Sequence, residues 1–232
     1  INNCIKYEVD RLVFFSSMAV YGNNSTPFIE DQTPSPVDPY GAAKYCIELD
    51  LLCAKNMHGL KWTIVRPHSV YGPGQNIFDR FRNVLGIWMR QILNDEPVSI
   101  YGDGLQKRAF TYIDDCMEPL WKCATEESTL HETFNIGNDS EMTINEALAV
   151  LKDVTATYFN DVIKYPAIHE VPNAWSDHTK AKEVLGLECK TPLKEGLKKM
   201  WEWAQKQPKR ELKTFDSFEL EVGLYEQFKK NK

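Results

Sequence analysis

The sequence lacks any C-x-x-C pair, although six cysteines are scattered along its 232 residues. Cysteines spread in this way, several of them in apolar helix-like stretches, are typical of reduced thiols that pack as small hydrophobic side chains. The pattern argues against a disulfide framework and against a metal site, and it predicts a cytoplasmic protein. No apolar run approaches the roughly 20 residues that a membrane span needs, so we expect no membrane partner.

An excess of positive charge is also absent. The chain has 27 Lys and Arg against 33 Asp and Glu, which gives a formal net charge of −6 at pH 7. A nucleic-acid footprint needs a basic face, so the composition predicts no nucleic-acid partner. With 43% apolar residues, the chain is long enough to bury a core, as one large domain or two small ones.

The first residues lack both an initiating Met and a glycine-rich loop. The chain begins "INNCIKYEVDRLVFFSS", and the first strand signal comes only about ten residues in. We interpret the chain as a fragment whose first part is missing.

The next stretch predicts a β-strand, an α-helix and a second β-strand. "RLVFFSS" (11–17) and "KWTIVRP" (61–67) are short apolar runs of the kind that buried strands show. Between them, Asp38 is a plausible N-cap, Pro39 suits the first helical position and Gly59 closes the helix. The apolar residues that recur along this helix, and that we expect to be buried, are Ala43, Ile47, Leu51 and Ala54. A unit of this length predicts a parallel sheet.

The pattern becomes mixed after residue 72. Helical periodicity covers 78–93, and short strand-like runs follow at 97–104, 108–114 and 133–137. Thr143 and Glu146 form a capping-box signal for a further helix. Further on, a strand-like run covers 162–171, and helices are predicted near 178–185 and after Thr191-Pro192. The last residues predict a charged surface helix.

A Tyr-x-x-x-Lys pair occurs twice, as Tyr40 with Lys44 and as Tyr225 with Lys229. Only the first pair stands at a capped helix start inside a β-α-β unit, directly after a strand that ends in Ser16-Ser17. The carboxyl ends of parallel strands are where open sheets bind ligands. The context therefore favours the first pair as the functional one.

These residue types suit the deprotonation of an alcohol. A free phenol has a pKa of about 10, and a neighbouring ammonium lowers that pKa by stabilising the phenolate. A serine hydroxyl can orient or relay the proton. Oxidising an alcohol also requires a hydride acceptor, which side chains do not supply and a nicotinamide does.

Four motifs resemble one known family. "FFSSMAVYG" (14–22), "PYGAAK" (39–44), "VRPHSVYGPGQ" (65–75) and "IYGDGLQKRAFTYIDD" (100–115) are similar to the extended short-chain dehydrogenase/reductase family. Within it, they resemble the nucleotide-sugar epimerase and dehydratase group, of the UDP-glucose 4-epimerase type. "SDHTKAKEVLG" (176–186) resembles a fifth motif, and the likeness extends from residue 11 to about 205.

The resemblance implies an α/β fold, namely the C-terminal portion of a Rossmann-type parallel sheet with a smaller mixed α+β substrate domain. Residues 1–75 would be the remaining part of the dinucleotide-binding domain, joined by interleaved segments near 105–140. Residues 76–205 would mainly bind substrate, and 206–232 would form a tail. The family's G-x-x-G-x-x-G loop would lie before Ile1, so we expect this fragment alone to be inactive.

The resemblance also implies a role for each matching residue. Tyr40 corresponds to the base, Lys44 to the residue that holds the nicotinamide ribose and lowers the Tyr40 pKa, and Ser17 to the residue that binds the reacting hydroxyl. The implied cofactor contacts are Ser16, Tyr40, Lys44 and Pro67, and the implied substrate contacts are Ser17, Ser69, Asn83, Arg108 and Phe110. The cofactor would be NAD, with NADP as the alternative, the substrate a nucleotide-diphosphate sugar, and the assembly a homodimer.

The turn after Ser17 discriminates among the reactions of this group. Dehydratases carry an Asp-Glu pair there, whereas this chain has Met18 and Ala19, which cannot move protons. The resemblance thus implies an epimerase that oxidises the sugar transiently at C4. The alternatives are an oxidoreductase or dehydratase of nucleotide sugars, or an incomplete fragment that only binds. Departures from the family pattern are Ser69 for Asn, Ala167 for Arg and Glu170 for Asp.

Overall fold

A computed structural model of the chain describes residues 1–79, 83–155, 161–168, 170–208 and 210. Within them, the helices are α1 (Asn2–Lys6), α2 (Pro39–His58), α3 (Val84–Leu93), α4 (Ile113–Thr125), α5 (Ile144–Thr155), α6 (Thr179–Leu185) and α7 (Leu193–Ala204). The strands are β1 (Leu12–Phe15), β2 (Trp62–Pro67), β3 (Val70–Tyr71), β4 (Val98–Tyr101), β5 (Lys107–Ala109), β6 (Thr111–Tyr112), β7 (Thr133–Ile136), β8 (Glu141–Thr143), β9 (Val162–Tyr165) and β10 (Asn173–Ala174). The predicted tail helix and the pair Tyr225 and Lys229 lie outside the described residues.

The main sheet has the strand order β1-β2-β7, with both pairs parallel. The register places Leu12 beside Trp62 and Ile64 beside Thr133. This arrangement confirms the predicted β-α-β unit, since α2 connects β1 to β2. Because the strands are parallel, their carboxyl ends lie at the same edge of the sheet, where Phe15 pairs with Val65 and Pro67 pairs with Ile136.

Helix α2 begins and ends at the residues that the sequence predicts. The Asp38 carboxylate accepts a hydrogen bond of 2.7 Å from the Gly41 amide, and Pro39 is the first helical residue. Gly59 closes the helix at φ +69°, a left-handed conformation that glycine adopts without a steric penalty.

Helices cover both faces of this sheet. On one face, Trp62 and Ile64 pack with Leu51 and Ala54 of α2. On the other face, Val65 packs with residues of α4 and α6. This alternation along β2 follows from the period of two in a strand, and it explains why the strand is apolar throughout.

The burial of α2 corrects one prediction. Leu51 and Ala54 are buried as expected, but Ala43 is exposed and Ile47 is 39% exposed. The side chain buried in their place is Glu48. An acidic residue is buried here because it has polar partners inside, which are described below with the site.

The second half of the chain is mixed α+β, as predicted. Small sheets pair β4 with β9, β3 with β6, and β5 with both β8 and β10. Their apolar sides pack with α3, α5 and α7 around Trp88. Thr143 and Glu146 form the predicted capping box, in which the Glu146 amide donates to the Thr143 hydroxyl over 3.1 Å and the Thr143 amide donates to the Glu146 carboxylate over 2.7 Å.

The predicted helix over 78–93 starts later than expected. It begins at Val84, because the Asn83 side chain caps it by accepting a hydrogen bond of 3.1 Å from the Leu85 amide. The predicted domain boundaries stay a prediction. Across the described parts of the chain, no helix combines the length and the apolar character that crossing a membrane requires.

Candidate active site

The first turn of α2 lies against the chain that leaves β1. A Cβ atom at Gly41 would stand 2.5 Å from the Ala19 carbonyl oxygen, so only glycine permits this approach. Ala19 belongs to a short 3-10 turn, Met18–Val20, which follows Ser17 directly. The helix N-terminus and Ser17 therefore meet at the carboxyl end of β1.

Tyr40 and Lys44 lie on the side of α2 that faces the sheet. The Lys44 ammonium donates a hydrogen bond of 2.7 Å to the carbonyl oxygen of Phe15, the last residue of β1. The same ammonium lies 5.8 Å from the centre of the Tyr40 ring. Tyr40 is 57% exposed.

Ser17 follows β1 in extended backbone, at φ −163° and ψ 154°. Its hydroxyl oxygen accepts a hydrogen bond of 3.2 Å from the Ala19 amide. This bond uses a lone pair, so the hydroxyl proton can still be donated. The structure thus brings Ser17, Tyr40 and Lys44 to one end of β1, whereas the roles assigned to them stay predictions.

A buried polar network underlies these residues, and sequence reasoning missed it. The Ser16 hydroxyl donates to Glu48 over 2.5 Å, and the Arg66 guanidinium donates to the same carboxylate over 3.0 and 2.6 Å. Arg66 also donates to the Tyr21 hydroxyl over 2.8 Å, which donates in turn to the Asn135 side chain over 2.7 Å. The available signal was a pair of opposite charges, Glu48 and Arg66, at buried positions of α2 and β2.

The network sets the ionisation of its members. Burial raises the pKa of Tyr21 to about 12, so this phenol is neutral. For Arg66, burial by itself would lower the pKa, but Glu48 and Tyr21 together raise the pKa above the ordinary value, and the guanidinium stays charged. Ser16 is buried and its hydroxyl is engaged with Glu48, so its predicted contact with a cofactor stays a prediction.

Pro67 ends β2 next to Ile136 of β7, and the chain then turns into the second half of the molecule. Ser69 adopts a left-handed conformation at φ +37°, and its carbonyl oxygen accepts a hydrogen bond of 3.3 Å from the Thr111 amide. Pro67 therefore lies at the same sheet edge as Ser17, and Ser69 lies beyond it. The cofactor contact predicted for Pro67 stays a prediction.

A cavity of about 440 Å³ lies beyond Ser69. Its lining includes four of the five predicted substrate contacts: Ser69, Asn83, Arg108 and Phe110. The fifth, Ser17, lies at the sheet edge and does not line it. The apolar part of the cavity wall consists of Val84, Ile87, Ile100, Ile144 and Ile168. Such a cavity suits a ligand with an apolar or aromatic part and a few polar groups.

Arg108 is the cation of this cavity that the sequence singles out. Its side chain is 12% exposed and donates to the Glu170 carboxylate over 2.7 Å. It also donates to the carbonyl oxygens of Lys107, Val171 and Pro172 over 2.7, 2.9 and 3.2 Å. These four bonds engage both terminal nitrogens, so of the five N–H donors of the guanidinium the one on Nε is left for a contact to an anion.

A comparison with known families identifies the chain's relatives. Residues 1–137, more than half of the chain, match the model of the NAD dependent epimerase/dehydratase family. The chain belongs to this family. Its membership confirms the resemblance that the four motifs predict.

Relatives in the NAD dependent epimerase/dehydratase family catalyse more than one reaction. A UDP-glucuronate 4-epimerase of Thermodesulfobacterium geofontis is 31% identical over 204 residues, which cover 86% of this chain and 60% of that protein. A UDP-N-acetyl-alpha-D-glucosaminuronate decarboxylase of Bacillus cytotoxicus is 30% identical over 209 residues, which cover 83% of this chain and 63% of that protein. The chain thus spans roughly three fifths of the length of these curated relatives.

A solved structure in the family has the same fold. The UDP-glucuronic acid 4-epimerase of Bacillus cereus, solved in complex with UDP-glucuronic acid and NAD, superposes with a TM-score of 0.81 at 28% identity. The match covers 88% of this chain and 64% of that one. It confirms the predicted α/β class with a Rossmann-type parallel sheet.

Two buried histidines lie behind the strand ends of this family member. His68 follows Pro67, is fully buried, and shares a hydrogen bond with the Ser176 hydroxyl. Its ring lies 5.2 Å from the ring of His178, which bonds to Asp139 over 2.8 Å. Burial lowers the pKa of both histidines, well below the ordinary value in the case of His68. Both imidazoles are therefore neutral in the folded protein near pH 7.

These histidines predict a loss of stability in mild acid. Unfolded histidine has a pKa near 6.5, so below that pH the unfolded chain binds protons that the folded chain excludes. The free energy of unfolding therefore changes little from pH 7.5 to 6.5 and falls below pH 6.5, with a slope that approaches about 1.4 kcal/mol per pH unit for each histidine that stays neutral. Glu30, whose pKa burial raises, acts in the opposite direction at lower pH. Urea unfolding at several pH values measures the slope.

Two variants test whether the buried histidines cause this pH dependence of stability. His68→Gln with His178→Asn keeps hydrogen-bonding groups at the same places and removes the titration, so we expect a flatter pH dependence. His58→Gln changes an exposed histidine at the end of α2 and should leave the slope as it is. Equal slopes for all three proteins would contradict the assignment.

Proposed function

We propose that the chain carries the catalytic and substrate-binding residues of an NAD-dependent nucleotide-sugar 4-epimerase. The observation that supports this most strongly is the placement of Tyr40, Lys44 and Ser17 around one strand end. The cavity lined by Asn83 and Arg108 also includes Ser69, which follows the neighbouring strand β2. Because the chain spans only part of its relatives, the activity is assigned to the longest natural polypeptide that contains it.

The proposed chemistry follows from these positions. Tyr40 acts as the phenolate, which the Lys44 ammonium stabilises, and it becomes a neutral phenol when it removes the proton from the sugar hydroxyl at C4. Ser17 donates its free proton to the reacting oxygen and orients it. Bound NAD would supply the acceptor, and then the donor, of the hydride at C4. Once the keto sugar has rotated so that its other face is reduced, Tyr40 returns the proton to the oxygen at C4.

The residues present fit the nicotinamide end of the cofactor. Lys44 has three N–H donors and uses one on the Phe15 carbonyl, so the others can bind ribose hydroxyls beside the exposed Tyr40. The sequence has no G-x-x-G-x-x-G loop. The loop that holds the pyrophosphate half of the cofactor in the family is therefore not part of this sequence, and the inactivity expected of the fragment alone stays a prediction.

The turn after Ser17 supports epimerisation over dehydration. Met18 and Ala19 form this turn with Val20, and none of the three side chains ionises. Decarboxylases also occur among the relatives, so a decarboxylation or an oxidoreduction of the nucleotide sugar is the competing reaction. Incubating the longest natural polypeptide that contains the chain with NAD and either UDP-glucose or UDP-glucuronate, followed by NMR of the sugar, distinguishes these reactions. We expect the 4-epimer of the sugar. A keto sugar, a pentose or unchanged substrate would contradict the proposal.

Arg108 is proposed to bind the diphosphate of the substrate. We expect Arg108→Met to weaken the binding of UDP to this chain by about 10- to 100-fold, since a charge-assisted hydrogen bond is lost. Uridine, which has no phosphate, should bind equally to both proteins. Isothermal titration with the two ligands measures the difference.

Lys107 provides the control for this experiment. It is the neighbouring cation in β5, and its side chain points to the other face of the strand. Lys107→Met should therefore leave UDP binding unchanged. Equal losses for UDP and uridine in Arg108→Met would show that the variant damages the cavity and does not remove a phosphate contact.

The homodimer implied by the resemblance stays a proposal, which the outer side of α2 supports. The side of α2 that faces away from the sheet has one exposed stripe, formed by Cys46, Leu49, Leu52 and Cys53. Leu49 and Leu52 are 43% and 44% exposed, more than a buried face would leave. Sedimentation equilibrium checks this proposal, with twice the chain mass expected. The predicted cytoplasmic location also remains a prediction.

A further inference from the structure

Two hydrogen bonds tie successive turns of α2 to the end of β1. The Lys44 ammonium donates to the Phe15 carbonyl over 2.7 Å, and the Ser16 hydroxyl donates to Glu48 over 2.5 Å. Lys44 and Glu48 are one helical turn apart, and Phe15 and Ser16 are neighbours. The helix therefore cannot slide or rotate without breaking at least one of these bonds.

Glu48 is in turn held by the central strand. Both of its carboxylate oxygens accept from Arg66, and the two side chains are 5% and 6% exposed. Arg66 extends the connection to Tyr21 and then to Asn135 of β7. One buried network thus joins α2 to all three strands of the main sheet, below the residues that we place in the reaction.

Stability alone does not account for such a pair. Removing two charges from water costs about as much as their attraction returns, and an apolar pair of similar volume is often equally stable or more stable. An apolar pair would not, however, fix the helix along its axis, because apolar contacts are not directional. The hydrogen bonds of Glu48 do fix it.

We propose that Glu48 is a positioning residue for the reaction. Through Ser16 and Arg66, it sets the register of α2 and hence the places of Tyr40 and Lys44 relative to Ser17. The inference rests on the proposed function, because the position of α2 matters for catalysis only if Tyr40 and Lys44 take part in the reaction. Small displacements of reacting groups, of the order of 1 Å, can lower turnover by about 100-fold.

A double variant separates positioning from stability. In Glu48→Leu with Arg66→Met, the buried charges are replaced together, so we expect an unfolding midpoint close to that of the unchanged protein. We expect kcat to fall about tenfold or more while KM changes little, because the substrate cavity is elsewhere. Recovery of both stability and kcat in this variant would overturn the proposal.

A second readout requires no turnover. Amide hydrogen exchange over residues 40–44 reports how firmly the first turns of α2 are held. We expect faster exchange there in the double variant, at unchanged global stability. Exchange equal to that of the unchanged protein would overturn the positioning role, even if no nucleotide sugar is turned over. If the unchanged protein turned over no nucleotide sugar, the proposed function would be contradicted. The exchange measurement would still show whether Glu48 holds the first turns of α2, because it does not depend on activity.

The control is another arginine–glutamate ion pair, whose arginine is buried and whose glutamate is 42% exposed. Arg90 donates to both carboxylate oxygens of Glu96 over 2.9 and 2.7 Å, at the end of α3. Its side chain is 7% exposed, similar to that of Arg66. Arg90→Met with Glu96→Leu should change neither kcat nor the exchange of residues 40–44. A similar fall of kcat in this control would show that the effect is not specific to Glu48.

Discussion

Replacing Tyr40 with phenylalanine should abolish most of the turnover of the nucleotide sugar while UDP still binds. General base catalysis contributes about 10²- to 10⁴-fold, so we expect kcat to fall within that range. UDP affinity should stay the same, because the cavity residues Asn83 and Arg108 are untouched. Steady-state assays with the longest natural polypeptide that contains the chain, together with titration of UDP, measure both quantities.

The same helix offers a control for this substitution. Tyr45 lies five residues further along α2 and points to a different side of the helix, so Tyr45→Phe should leave kcat within about twofold. Lys44→Met should lower kcat as well, since it removes the ammonium 5.8 Å from the Tyr40 ring. Turnover by Tyr40→Phe equal to that of Tyr45→Phe would remove Tyr40 from the role of base.

Replacing Arg66 alone should strongly destabilise the fold. Arg66→Met leaves the Glu48 carboxylate buried with the Ser16 hydroxyl and without a counter-ion. Breaking a buried pair in this way costs about 3–5 kcal/mol, a large share of the stability of an ordinary domain. Urea unfolding at pH 7.5 measures the loss.

An exposed ion pair supplies the comparison. Lys190 pairs with Glu188 on the surface, with 76% and 63% of the two side chains exposed. Surface pairs contribute little to stability, so Lys190→Met should hardly move the unfolding midpoint. If Arg66→Met were as harmless as Lys190→Met, the charges of the buried network would not be as tightly coupled as their distances indicate.

The contrast between α2's ends and its buried side shows what the sequence predicts and what it does not. Asp38, Pro39 and Gly59 act locally, through caps and backbone conformation, and these signals place the helix correctly. Its buried side depends on partners that are distant in sequence. Apolar periodicity selected Ile47, whereas the structure buries Glu48, because Arg66 and Ser16 satisfy its carboxylate.

The cavity shows a similar division. Ser69, Asn83, Arg108 and Phe110 were brought together only by the resemblance to a known family, since they come from separate strands, loops and helix ends. Periodicity alone would not join them. The pair between Arg108 and Glu170, and the cap by which Asn83 delays α3, depend on the tertiary fold and were not predicted.

A crystal structure of the longest natural polypeptide that contains the chain, with NAD and UDP-glucuronate bound, measures the decisive distances. We expect one sugar hydroxyl to lie within about 3.2 Å of both the Tyr40 hydroxyl and the Ser17 hydroxyl, with the diphosphate at Arg108. A sugar whose hydroxyls contact neither side chain, or a nucleotide bound outside the cavity that Asn83 and Arg108 line, would contradict the account.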